Sequence, residues 1–326
     1  MAVKPTTEYL DLLNMAVARE LQVSIQYMLQ HAKMEKLMRK VIAENILIDK
    51  TTYDTVGKFL KEFAIVEMKH AADIMERIYY LGGSATTKGN TPVIGNSLSE
   101  FAKLGAQAEE EAVVLYRKII KAAKEVGDRT TRQLFQKIYK EEEEHLLKFQ
   151  EYMNMKDEPE DAGTAQVSEW RRIFTDDYFA LLNKAVAAEI SAIIQYTNQH
   201  EKAALLTLRG KNTALEVVQE KNKAQVVSEL LKPIFLVEME HLEKITERIY
   251  LLEGEAVTEP NPIPQVGNNA DDFLRLDREA ENIALVLYRK IIEEAMKRGD
   301  SKTRQLFEEI VSQEEDHYWT FDDYIP

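Results

Sequence analysis

Four Glu-x-x-His tetrads carry the chemistry legible in this chain: Glu67/His70, Glu142/His145, Glu238/His241 and Glu314/His317. A three-residue step puts carboxylate and imidazole on one face of a helix, about one turn apart. Two such helices facing each other, joined by further inward glutamates, make the ligand set of a di-metal site inside a four-helix bundle. All six histidines fall into matched pairs, His31/His200, His70/His241 and His145/His317, separated by 169, 171 and 172 residues. The chain therefore contains one unit written twice, and each unit carries its own set.

The second copy identifies which glutamates face inward. Glu142 sits in the acidic run EEEEH, where a solvated surface is the ordinary expectation. The stripe Leu134, Ile138, Glu142, His145, Phe149 has steps of 4, 4, 3 and 4, and Leu306, Ile310, Glu314, His317, Phe321 repeats them. These are core positions of an amphipathic helix, which leaves Glu141 and Glu144 free to point outward. Leu60, Phe63, Glu67, His70, Ile74, Ile78, Leu81 behaves the same way, as does Leu231, Ile234, Glu238, His241, Ile245, Ile249, Leu252. Pro233 marks a kink or a late helix start in the second copy. Glu20 and Glu189 follow Leu13/Val17 and Leu182/Val186. Of Glu109, Glu110 and Glu111, only Glu109 has an acidic counterpart, Glu281; the others align with Asn282 and Ile283.

Four carboxylates and two imidazoles thus converge per unit. Buried without compensation, each carboxylate costs several kcal/mol, and mutual repulsion raises their pKa values. Two divalent cations remove that cost, and oxygen-rich ligation with one imidazole per metal suits iron or manganese. The bland alternative is a set of buried Glu–His ion pairs without metal. His31 and His200 remain open between core histidines and a metal waypoint.

These residues require long helices. At 326 residues the chain has room for two domains, each able to bury its own core. YLDLLNMAVARE (9–20) repeats as YFALLNKAVAAE (178–189), and LYRKII and TRQLF each occur twice. The pattern predicts helices over about 6–35, 55–81, 97–126 and 129–153, and again over 175–206, 226–252, 270–298 and 301–323. Gly127-Asp128 and Gly299-Asp300 read as helix stop and start. Between the second and third helices, 82–96 and 253–268 are Gly/Pro-rich; about 15 extended residues reach roughly 50 Å, the length of a bundle. The expected fold is all-α, two tandem four-helix bundles each with one long crossover. The polar stretch 156–166 is the expected linker, with domains at 1–163 and 164–326.

The composition narrows the function. A net charge of −14 argues against nucleic acid and anionic membrane as partners and favours cations. With no cysteine there are no disulfides, thiolate metal sites or thiol catalysis. No secretory signal and no membrane span is read, so the expected location is cytoplasmic.

At its ligand residues, and in QYMLQH (26–31) and EMKHAADIMERIYYLGG (67–83), the chain resembles bacterioferritin, within the ferritin-like di-iron carboxylate superfamily. That superfamily's known template is a Glu from each of two helices plus Glu-x-x-His from the other two. The resemblance covers nearly all of both repeats. It implies two Fe ions per domain, four per chain, with Glu67 and Glu142 bridging and Glu20/His70 and Glu109/His145 as terminal ligands. In the second domain it implies Glu238 and Glu314 as bridges, with Glu189/His241 and Glu281/His317 terminal. Tyr27 and Tyr196 become candidates for electron donation beside the metals, or core tyrosines hydrogen-bonded to a ligand. Met68 and Met239, one residue past a bridging Glu, become candidate axial ligands of a haem between domains packed as a pseudo-two-fold dimer. Leu21, Met28 and Ile65 would line its crevice on one side and Ile190, Ile193 and Leu236 on the other; a methionine-rich apolar interface is the plainer reading.

The implied activity is that of a ferroxidase oxidising Fe(II) with O2 or H2O2, in a homo-oligomer. The alternatives are an iron-storage or haem-bearing electron-carrier assembly, a rubrerythrin-like peroxidase, weakened by the absence of cysteine, and a dimanganese catalase. The chain departs from the family in its duplication and in the added segment 39–59, with a counterpart around 209–226, expected to form a short helix or cover the site entrance. The absence of a short fifth helix after His317 leaves a hollow shell and smaller assemblies both open.

Overall fold

The structure is a computed structural model that describes residues 5–43, 50–153, 174–208 and 215–325. The chain divides into two compact units, Met1–Asp161 and Ala162–Pro326. The boundary expected near residue 163 and most of the linker lie outside the described residues. The first unit contains α1 (Thr7–Ala43), α2 (Lys50–Tyr80), α3 (Leu98–Glu125) and α4 (Arg129–Tyr152). The second contains α5 (Asp176–Leu208), α6 (Leu215–Leu251), α7 (Ala270–Arg298) and α8 (Ser301–Asp322). Among the described residues there is no strand, and no helix is long and apolar enough to cross a membrane.

Each unit is a pair of hairpins, α1/α2 with α3/α4 and α5/α6 with α7/α8. The long crossovers lie along the first helix of each unit, held by its polar side chains. Asn14 accepts from Thr86 N at 2.8 Å, Gln26 accepts from Val93 N at 3.2 Å, and Lys33 donates to Gly95 O at 3.1 Å. From Asn14 to Lys33 is about 28 Å of helix at 1.5 Å per residue. Asn183, Gln195 and Lys202 hold the second crossover in the same order.

Three local expectations change. The segment 39–59 forms no separate short helix in its described part: residues to Ala43 continue α1 and those from Lys50 open α2. Residues 44–49, and 209–214 of its counterpart, lie outside the described residues. Pro233 does not delay α6, which runs through it. Pro233 is exposed, so the carbonyl it deprives of a partner can bond water, while buried Leu231, Ile234 and Glu238 hold the other face. The α4 and α8 stripes begin at Phe135 and Phe307, both fully buried, with Leu134 and Leu306 only partly covered.

One polar clasp fixes the α3–α4 hairpin against the rest of the bundle. Gly127 adopts φ +73°, a left-handed helix stop that favours glycine. Asp128 then caps α4 by accepting from Thr131 N at 3.0 Å. The same carboxylate accepts from Arg77 at 2.8 Å and from the Tyr9 hydroxyl at 3.2 Å, so α1, α2 and α4 meet on one residue. Asp300 does the same with Thr303, Arg248 and Tyr178. Loss of an N-cap costs about 1 kcal/mol, and stranding a buried cation costs about 3–5 kcal/mol. Asp128→Ala is therefore expected to destabilise the first unit by about 3 kcal/mol or more, read as an earlier transition in thermal unfolding. A melt unchanged from the parent protein would show that the clasp contributes nothing.

Candidate metal centre

The second helix and the fourth helix of each unit present their Glu-x-x-His faces to one another across the bundle interior, and the first and third helices each add one glutamate. In the first unit the donor atoms of Glu20, Glu67, His70 and Glu142 lie within 4.8 Å of one another, as do those of Glu67, Glu109, Glu142 and His145. Glu189, Glu238, His241 and Glu314 form the matching group, with Glu238, Glu281, Glu314 and His317 beside it. All twelve residues named from the sequence are buried.

Within each pair of groups, the two shared glutamates lie between the two histidines. Glu67 turns Oε2 to His70 Nδ1 at 2.9 Å and Oε1 to His145 Nδ1 at 2.7 Å. Glu142 turns Oε1 to His70 at 3.0 Å and Oε2 to His145 at 3.4 Å. Glu238 lies 3.0 Å from both His241 and His317, and Glu314 lies 3.1 Å from both. Glu20 and Glu189 stand outside this square, each 3.8 Å from its histidine.

The chemistry of this donor set fits divalent cations. One imidazole N–H can satisfy one acceptor, yet His70 Nδ1 has three carboxylates within 3.8 Å. Both oxygens of Glu20 are buried without a hydrogen-bond partner. Carboxylate acceptors that outnumber the imidazole N–H groups around a common point are expected where a cation is their shared partner. On the far side of the ring, His70 Nε2 meets Glu141 at 2.8 Å and His241 Nε2 meets Gln313 at 2.9 Å. A proton held there leaves Nδ1 as the free donor. Glu141, expected to point outward, instead orients a histidine.

Charge follows the same pattern. Burial pushes Glu20, Glu109, Glu189 and Glu281 well above the ordinary carboxylate range, and neighbouring carboxylates push further. Burial also opposes ionisation of Glu67, Glu142 and Glu238, but hydrogen bonds from the paired imidazoles prevail and hold them low, Glu238 at about 2. Against burial, those same bonds raise His70 and His241 to about 12, His145 to about 10 and His317 to about 9. Protons are thus the counter-cations of the metal-free cluster.

The tyrosines are hydrogen-bonded to the set. Tyr27 donates to Glu109, and Tyr196 donates to Glu281 at 2.5 Å. Tyr288 donates to Glu189, whereas the Tyr116 hydroxyl is buried without a partner. Phe63 stacks on His145 with ring centroids 3.9 Å apart. His31 and His200 do not join the clusters. Each approaches a backbone carbonyl of the following helix, Gly57 O and Ser228 O, at 2.7 Å, the geometry of core histidines tying the first hairpin together. Met68 and Met239 are buried.

Two site residues have no sequence expectation behind them. Arg19 is buried with Nη2 3.3 Å from Glu109 Oε2. Asp277 is buried one turn before Glu281 and accepts from Gln195 at 2.9 Å. Their counterparts are Ala188 and Gly105. At Gly105 an added Cβ would come within 2.4 Å of the Phe149 ring, so that ring occupies the space over the position.

Residues 10–157 and again 179–326 match the family described as ferritin, ferritin-like domain. A bacterioferritin of Desulfovibrio desulfuricans is 32% identical over 142 residues, which span 43% of this chain and 72% of that protein. A bacterioferritin of Rhodobacter capsulatus is 26% identical over 136 residues, 42% of this chain and 74% of that protein. A solved D. desulfuricans bacterioferritin, described with a diiron site in different catalytic states, has 29% identity and a TM-score of 0.38, covering 49% of this chain and 94% of that one.

Groups held protonated in the metal-free cluster must release those protons when a cation takes their lone pairs, so acid favours the metal-free form. Zn(II) titration in weak buffer is expected to release protons, and affinity is expected to fall from about pH 8 to pH 6. Binding without proton release and independent of pH would exclude these residues as the ligands.

Proposed function

The chain belongs to the ferritin family, as a tandem pair of bacterioferritin-like domains, and on that premise we propose that each half is a di-iron ferroxidase that oxidises Fe(II) with O2 or H2O2. The observation that carries the reading is the square of Glu67, Glu142, His70 and His145, repeated as Glu238, Glu314, His241 and His317. Glu67, Glu142, Glu238 and Glu314 would be the ligands shared by the two ions of each half. Glu20 with His70, Glu109 with His145, Glu189 with His241 and Glu281 with His317 would each serve one ion. Two Fe(II) held there would supply the electrons, one from each, that take H2O2 to water or O2 to H2O2.

The protein's own groups manage protons and geometry. Glu141 and Gln313 hold the Nε2 protons of His70 and His241, which keeps Nδ1 directed inward. Tyr27 and Tyr196 keep their phenol protons, because burial raises both well above the usual phenol value. Each is hydrogen-bonded to a terminal carboxylate, which can accept that proton as the ring gives up an electron. The acidic chain, net −14, gathers Fe(II) as substrate. The proposed setting is the cytoplasm, in a homo-oligomer.

Anaerobic Fe(II) titration followed by oxidant is expected to saturate near about four irons per chain. Glu67→Ala combined with Glu142→Ala should remove half of that binding, and adding Glu238→Ala and Glu314→Ala should abolish fast oxidation. Wild-type protein that binds Fe(II) but oxidises it no faster than buffer would refute the ferroxidase reading. Iron loading far above this stoichiometry would favour storage.

A second reading concerns haem. Met68 and Met239 are buried at equivalent positions, although the residues that follow them differ, Lys69 against Glu240. We propose that each is a thioether ligand to haem. Reconstitution with haem is expected to give a Soret band that Met68→Leu and Met239→Leu each shift or remove. A spectrum indifferent to both substitutions would leave these methionines as packing residues.

A further inference from the structure

The two centres differ at the residue just before their first ligand. α1 places Arg19 before Glu20, where α5 places Ala188 before Glu189. Arg19 is 6% exposed. Its Nη2 donates to the Ala108 carbonyl and lies 3.3 Å from Glu109 Oε2, while Nε and Nη1 have no partner. A cation buried with most of its donors unserved is held by charge, and the carboxylates near it are Glu109, Glu20 and Glu142, three of the four in that centre.

The second unit shows what the same place looks like without the arginine. A cavity of about 50 Å³ opens beside Ala188 and Ala280 and reaches Glu189, Glu238, Glu281 and Glu314. Ala280 and Glu281 are the counterparts of Ala108 and Glu109, the two residues that Arg19 touches. The volume exceeds the ~30 Å³ share of one water molecule, and all four carboxylates of the centre are on its wall. In the first unit a groove of about 710 Å³ runs over the same helix face, lined by Arg19, Gln22, Ala108 and Glu110 among others. None of Glu20, Glu67, Glu109 or Glu142 lines it. Arg19 lies at the floor of that groove, between solvent and the ligands.

We infer that Arg19 is a gate and a resident competitor cation, so that the centre of the second unit takes up divalent metal first and the centre of the first unit takes it up more slowly and more weakly. An ion approaching the first centre from the groove must displace the guanidinium from Glu109, and the displaced charge stays buried beside the incoming one. An ion approaching the second centre meets a short passage lined by Ala188, Ala192, Pro262 and Ala284, and no fixed cation. The second unit also differs in having buried Asp277 where the first has Gly105. This inference rests on the proposed metal-binding role of the two centres, but not on their oxidising activity.

Co(II) alone serves as the probe, read by its ligand-field absorption in stopped flow and at equilibrium on the full chain. The wild type is expected to load in two phases of similar amplitude, with the fast one lost in Glu238→Ala. Arg19→Ala, which installs the residue found in the other half, should speed the slow phase and tighten its affinity roughly ten- to hundredfold, the range for losing one charge-assisted hydrogen bond. Ala188→Arg should slow the fast phase by a similar factor. A single wild-type phase, or two phases that neither substitution moves, would overturn the gate while leaving the di-metal centres intact. No Co(II) binding at all would overturn both. Biphasic Co(II) loading without Fe(II) oxidation would defeat the ferroxidase reading and support this one.

Discussion

Four carboxylates buried around one point inside a helical bundle cannot all be ionised without positive charge among them. Each costs several kcal/mol to desolvate, and a domain's net stability of about 5–15 kcal/mol does not cover four. Each unit answers with two imidazoles at the centre of the set. In the first unit, protons on the histidines and on Glu20 and Glu109 replace metal ions as the balancing charge. The same groups can therefore exchange protons for cations without a change of fold.

Holding such a cluster requires rigidity elsewhere. The helices are long, and their polar positions are spaced so that each ligand is fixed by a stripe of apolar neighbours above and below it. The crossover is tied along the first helix by Asn14, Gln26 and Lys33. Asp128 locks the far hairpin to two other helices at once. These contacts lie away from the ligands, but they fix the helix registers on which convergence of the four glutamates depends.

Much of this is legible in the sequence because the chain presents it twice. Glu109 stands out from Glu110 and Glu111 only because Glu281 exists, and helical spacing alone gives the eight helices, although α1 ends at Ala43 rather than near 35, and α2 and α6 begin at Lys50 and Leu215 rather than near 55 and 226. Repetition identifies what two copies share and passes over what they do not. Arg19 and Asp277 differ from their counterparts, Ala188 and Gly105, so agreement between copies could not select them; an arginine one residue from an inward glutamate was the available signal. Glu141 escaped for another reason. A side chain one residue, about 100°, from buried Glu142 reads as exposed, yet a glutamate is long enough to reach back to His70 Nε2. Pro233 shows the converse limit: a helix with a well-buried opposite face tolerates a proline whose ring is exposed.

Duplication inside one chain removes a constraint that identical subunits obey. In a homodimer, any substitution near the centre appears at both centres, so a cation placed beside one ligand set would burden both. In a fused chain the two can diverge. The first unit has a fixed positive charge against Glu109, and its Tyr116 hydroxyl is without a partner. The second keeps a tyrosine, Tyr288, on Glu189 and an added acid at Asp277. The differences leave a first centre with a fixed cation against Glu109 and a second reachable from its cavity. The physical consequence of fusing two near-copies is then an ordered pair of sites, distinguished by a single cation in the space that the other half leaves open.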